Sequence, residues 1–268
     1  MFRSVFCASI FTSLGAVATI VASPAAAVTL RLCTDEQSRL PYITPQGTGM
    51  ADMLIKEAAR EVGITVEFRP APITRCREEI RVNAVDGFPT VPYSASVTEF
   101  MAFPMHGTAP DAARAVGNIR ALVFRRVGTP AAWDGARFTQ LTTPVLVPFG
   151  SVLLLDRLTQ MGIPLENTAR GLEANFQKLL AGRAELAVGS EFTGMVLLGQ
   201  AQYAGKIEAL PAPFTDEPYY LGVSKRFRDT HPDLMEKLWN AMTRIRKSAA
   251  YQQAMRKALD EQARTLKE

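Results

Sequence analysis

Apolar, β-branched runs alternate with amphipathic, glycine-terminated helical segments, and the alternation occurs twice. No other property constrains the fold as strongly. Residues 28–33 (Val-Thr-Leu-Arg-Leu-Cys) read as a first strand, and residues 51–62 as a helix with Met53, Leu54, Ala58 and Val62 on its apolar face. Gly63 stops that helix, and residues 64–68 return as a strand. A helix around residues 75–83 leads to a third short strand, residues 85–88, which opens into a loop. The second series has strands at 121–124 and 144–148 and a helix over 152–161, begun by Gly150-Ser151 and stopped by Gly162. A helix over 172–180 and a strand over 184–188 follow, with Gly189-Ser190 opening the next loop. Strands alternating with helices of about 10–15 residues specify mostly parallel α/β sheets, and two such series specify two lobes.

The tail reads as a strand over 219–224, a helix over 232–247 with Leu234, Leu238, Trp239, Met242 and Ile245 inward, and further helix over 249–266. No low-complexity linker separates the lobes, so the chain is expected to cross between them as extended segments near 117–125 and 212–221. One lobe is then discontinuous, residues 28–117 with 222–268, and the other spans 118–221.

Residues 1–27 have the pattern of a signal peptide. Arg3 precedes an uncharged apolar stretch over 5–21, and Ser23-Pro24-Ala25-Ala26-Ala27 supplies small residues for cleavage before Val28. The stretch is slightly short of the ~20 residues that span a bilayer. No cysteine follows the cleavage site and no second long apolar run appears, so the expected product is soluble and periplasmic. Cys7 leaves with the signal. The remaining pair, Cys33 and Cys76, is an even count in an oxidising compartment and suggests a disulfide, the alternative being two separate buried thiols. Two cysteines and the distant His106 and His231 have no metal-ligand spacing. A net charge of +4, with cations scattered apart from a denser C-terminal helix (Lys237, Arg244, Arg246, Lys247, Arg256 and Lys257) that reads as a solvated face, and with no basic stripe interleaved with aromatics, argues against nucleic acid as a partner. No Ser/His/Asp arrangement and no phosphate-binding glycine loop is visible, and no cofactor is expected.

A series of short motifs resembles the family-three periplasmic solute-binding proteins, the amino-acid-binding type. In order these are Gly49-Met-Ala-Asp52, Val62-Gly63-Ile64, Thr74-Arg75-Cys76, Val85-Asp86-Gly87-Phe88, Tyr93-Ser94, Glu99–Pro104, Trp133-Asp134-Gly135, Val147–Ser151, Leu179–Gly189 and Tyr220–Lys225. The resemblance implies two α/β lobes joined by two crossing strands, with ligand held in the cleft by hinge closure. It also implies a monomer that delivers a small molecule to a membrane permease.

The same resemblance nominates site residues. Tyr42 is the candidate stacking ring, with packing on Pro41 and Pro45 as the alternative, while Asp35 is placed to cap or to meet a ligand cation. Thr90 and the backbone of Pro92 offer polar groups in the loop that ends at Tyr93. Gly150-Ser151 resembles the glycine–hydroxyl step at a helix N-terminus that holds an anionic oxygen; Ser151 is equally an ordinary N-cap. Two departures stand out. Val97 occupies the place of the arginine that grips an α-carboxylate, and Ser190, followed by Glu191, occupies that of the aspartate that takes the ammonium. A buried ligand charge without a partner costs several kcal/mol, so a standard α-amino acid is not the expected ligand. Ile73 stands where a related subgroup has Trp. Phe88, Phe149, Phe192 and Tyr219 form either an aromatic wall or core. Two other functions remain open: an accessory protein of a periplasmic quinoprotein dehydrogenase, and a prephenate- or arogenate-type dehydratase using Glu191 or Glu36 as acid.

Overall fold

Lobe architecture follows from one sheet that runs through the whole molecule in the computed structural model, which describes Met1 and residues 28–265. Apart from Met1, the expected signal peptide lies outside the described residues. The principal elements are β1 (Thr29–Asp35), α1 (Met50–Val62), β2 (Thr65–Ala71), α2 (Ile73–Arg81), β3 (Gly87–Pro92), β4 (Gly117–Arg126), β5 (Val145–Leu146), α3 (Val152–Gln160), β6 (Leu165–Glu166), α4 (Leu172–Leu180), β7 (Leu186–Ser190), α5 (Glu191–Leu198), β8 (Ile207–Ser224), α6 (Lys225–Thr230), α7 (Pro232–Arg246) and α8 (Ala249–Thr265). The strand order is β6-β5-β7-β4-β8-β3-β1-β2. Each lobe therefore repeats one arrangement: its second, first and third strands in parallel, then a crossing strand running antiparallel. The crossing strands β4 and β8 also pair with each other, Tyr219 opposite Gly117 and Asp216 opposite Arg120.

Both faces of each half-sheet are buried, which explains the near-continuous apolar strands. Leu30 and Leu32 pack on α1 and α7 with Leu54, Ile55, Leu238 and Trp239, while Cys33, Ile80 and Phe88 form the opposite face. In the second lobe Val145, Val147 and Val123 face α3, and Leu146, Leu122 and Phe124 face α4. Cys33 and Cys76 are bonded, with Cα atoms 5.4 Å apart, tying the end of β1 to the first turn of α2. Among the described residues no helix is long and apolar enough to cross a membrane.

Three expectations need correction. Residues 88–92 are not loop, since β3 continues to Pro92 despite Pro89. Its ladder with β1 ends at Leu32–Gly87, so beyond that point one strand edge needs no N–H donor and proline is tolerated. Likewise β8 begins at Ile207 rather than near 219, with Pro211 and Pro213 accommodated by register shifts. Finally, Ser190 opens no loop: β7 runs to it and α5 starts at once.

The start of α1 stores a pH dependence. Asp52 is fully buried, and its Oδ2 accepts the N–H groups of Gly49 (3.0 Å) and Thr44 (3.2 Å). Its Oδ1 is buried without a partner, so a proton there breaks neither bond. Burial pushes the carboxyl from 3.8 up to about 6, against the pull of those two bonds and of Lys56. A raised acid favours the folded state in its protonated form. The contribution is complete below about pH 4 and is lost as pH rises through about 6, on the order of 3 kcal/mol. Asp52→Asn, which keeps an acceptor for both amides, is expected to flatten the decline in urea-unfolding stability between about pH 4 and pH 6. An unchanged slope would remove Asp52 as its source.

Candidate functional site

Loops at the carboxyl ends of the parallel strands meet from the two lobes, as open α/β sheets dictate. They enclose a cleft of about 620 Å³. Residues 37–42 after β1, the outer half of β3 and residues 94–101 form one wall, with one face of α2. Residues 148–154, 170–172 and 190–193 form the other, and Asn118–Ala121 with Tyr219 belong to the crossing strands between them.

Tyr42 lines this cleft, but its ring is braced against the crossing strand. Its hydroxyl donates to the Asn118 carbonyl (2.9 Å) and accepts from the Asn118 N–H (3.1 Å), and its edge meets Tyr219 with centroids 6.2 Å apart. Two glycines make this placement possible. A Cβ on Gly117 would lie 2.4 Å from the Tyr42 ring, and one on Gly49 would lie 2.1 Å from the Tyr42 carbonyl oxygen. Burial pushes both tyrosine hydroxyls upward, and that of Tyr219 has no hydrogen-bond partner among the described residues.

Thr90 and Pro92 lie on the wall, and Thr90 is buried. Tyr93 does not: it turns away and sets its ring edge on Phe103, centroids 5.3 Å apart. Val97 is buried and lines the cleft, so the wall is apolar where an arginine was noted as missing. Gly150 and Ser151 also line it. However, the Ser151 and Val152 N–H groups bond the Pro148 and Gly150 carbonyls, leaving the Ser151 hydroxyl rather than a backbone cradle. Ser190 caps α5 by accepting from the Thr193 N–H (3.4 Å). Glu191 pairs with Arg120 at 3.2 Å. Both Ser190 and Glu191 are thus engaged by the protein. Phe88 is buried and Phe192 half-buried, whereas Phe149 is 61% exposed on the wall. Asp35 is buried, ion-paired with Arg39 and not on the cleft lining. His106, His231 and Glu36 are not on the cleft lining.

Sequence reasoning missed the cleft's cations. Arg39, Arg77, Arg120 and Arg170 line it, against the carboxylates Asp156 and Glu191. Arg39, held by Asp35, reaches across the cleft to the Gly150 carbonyl at 3.4 Å. The Asp35–Arg39 spacing of four residues directly after a strand was the one available signal for it.

No protein-family model and no curated protein matches the chain. Solved structures do. The GluR0 ligand-binding core from Nostoc punctiforme in complex with L-glutamate has 15% identity and a TM-score of 0.64, covering 84% of this chain and 96% of that one. A histidine kinase sensor domain with similarity to periplasmic binding proteins has 18% identity and a TM-score of 0.64, covering 86% and 95%. A Salmonella typhimurium periplasmic binding protein of high arginine specificity has 15% identity and a TM-score of 0.62, covering 86% and 99%. The fold is therefore the two-lobed, type II periplasmic-binding fold. The structures that share it here are binding proteins and sensor domains.

Proposed function

We propose that the protein is a divergent family-three solute-binding protein, exported to the periplasm, that captures a small molecule between its lobes for an ABC-type importer. The lobes are residues 28–117 with 222–268 and residues 118–221. The observation that carries this reading is the open cleft of about 620 Å³ at the strand ends, walled by both lobes and crossed by β4 and β8. Such a geometry buries a ligand when the lobes close, so affinity for the closed state drives the motion. A standard α-amino acid is not the favoured ligand, because Val97 offers no charge and Glu191 is held by Arg120.

A cleft filled by its own side chains would favour the dehydrogenase-accessory reading, and the open volume favours capture instead. Catalysis is not favoured either, since Glu36 is off the lining and Glu191 is ion-paired. Thermal-shift and calorimetric screening of the purified protein against solutes of each charge class tests the reading. A ligand at about 100 times its Kd is expected to add about 2.7 kcal/mol of stability. If no class of small molecule stabilises the protein, it does not capture solutes.

A further inference from the structure

We infer that the cleft selects a small carboxylate with an apolar body and no ammonium group, its anionic end held by Arg77 from one lobe and Arg170 from the other. The inference rests on the solute-capture reading and specifies its ligand.

Charge pairing within the lining carries the argument. Arg39 is held by buried Asp35, and Arg120 is paired with Glu191 at 3.2 Å and lies 3.9 Å from Asp216. Two of the four cleft guanidinium groups are therefore already neutralised. Arg77 and Arg170 have neither a hydrogen bond nor an ion pair among the described residues, and both are exposed on the lining. Their placement is built into the fold. Ile73, Arg77 and Ile80 recur at helical spacing and turn one face of α2 to the cleft, while Arg170 directly precedes the Gly171 cap of α4 on the opposite wall. Asp156, exposed on α3, is the unpaired carboxylate of the same lining, so the unpaired charge is two cations against one anion.

A guanidinium takes a carboxylate through two parallel hydrogen bonds, and low-dielectric walls concentrate the attraction. Those walls are supplied by Val97, Phe100, Phe149, Leu154 and Phe192. Phe149, 61% exposed, offers a face to a flat or branched body. At the place where an amino acid's ammonium would sit, Ser190 is engaged as a cap and Glu191 by Arg120, and the one unpaired carboxylate of the described lining, Asp156, is exposed on α3 and outnumbered by the two arginines. Because the two arginines stand on different lobes, a carboxylate that meets both favours the closed state over the open one.

Calorimetry of the purified protein with carboxylates and their primary amides, benzoate against benzamide and phenylacetate against phenylacetamide, reads the charge alone. Succinate and L-glutamate extend the panel. Carboxylates are expected to bind at least about 10-fold more tightly than their amides, as one good charged contact requires. Arg77→Gln and Arg170→Gln are expected to erase most of that preference while melting with the wild type, since both side chains are exposed. Preference for neutral or cationic solutes, tighter binding of L-glutamate than of succinate, or an intact preference in both variants overturns this inference and leaves solute capture standing. Failure of every solute class overturns the capture reading itself, and this inference with it.

Discussion

Replacing both cysteines, Cys33→Ala with Cys76→Ala, is expected to lower stability by about 4 kcal/mol, the chain-entropy value for a loop of this length. The bridge spans a sequence separation of 43 residues. For a chain of this size that corresponds to a fall in Tm of about 8–16 °C. Both sulfurs are fully buried in the core that includes Ile80, Phe88 and Tyr220, so small cavities add to the loss. The bridge also locates the site. Cys76 sits one residue before Arg77, and Cys33 lies two residues before Asp35, which holds Arg39. Loosening it is expected to weaken ligand binding more than an equally destabilising change in the other lobe. Calorimetric Tm with and without reductant, compared with the double variant, checks the first effect. A wild type whose Tm is indifferent to complete reduction would falsify the stabilising role.

Trp239→Ala is expected to cost about 3–5 kcal/mol, the range for deleting a buried indole. Trp239 is 1% exposed on α7 and packs with Leu30, Leu32, Leu54 and Leu221 where α1 and α7 cover the sheet. Its Nε1 donates to the Leu221 carbonyl at 3.1 Å, and Arg114 stacks 6.0 Å from its ring. Trp239→Phe separates the contributions: it keeps most of the apolar volume but orphans a buried carbonyl, at about 1–3 kcal/mol. Urea unfolding with an unchanged m-value is the measurement. A loss below about 1 kcal/mol for the alanine variant would show that the α7 face relaxes around the void.

Periodicity and punctuation made much of the fold legible. Gly63 and Gly162 take up left-handed backbone just after α1 and near the end of α3, and the apolar face of α7 is the one that Leu238 and Trp239 mark. What escaped was whatever neighbours decide. Prolines disguised the start of β8 and the end of β3, which are tolerated only because of ladder ends and bulges. The sequence of α5, Glu-Phe-Thr-Gly-Met-Val-Leu-Leu, is apolar nearly all round and carries no helical stripe to read. Thr90, Gly150 and Ser151 line the cleft, and strand ends of that kind can be located from sequence. Arg39, Arg77 and Arg170 were missed because a charge becomes a cleft charge only when another lobe faces it.

The insertion of one lobe between β3 and the far half of β8 also orders events during folding. Strands β5, β6 and β7 with their helices belong to one continuous stretch of chain, so their contacts form without waiting for distant residues. The first lobe has no such freedom. Phe88 and Val91 lack their neighbours until Gly222 and Tyr220 have been made and brought back. Until then β3 presents an apolar edge open to the wrong partner, a hazard of long-range pairing.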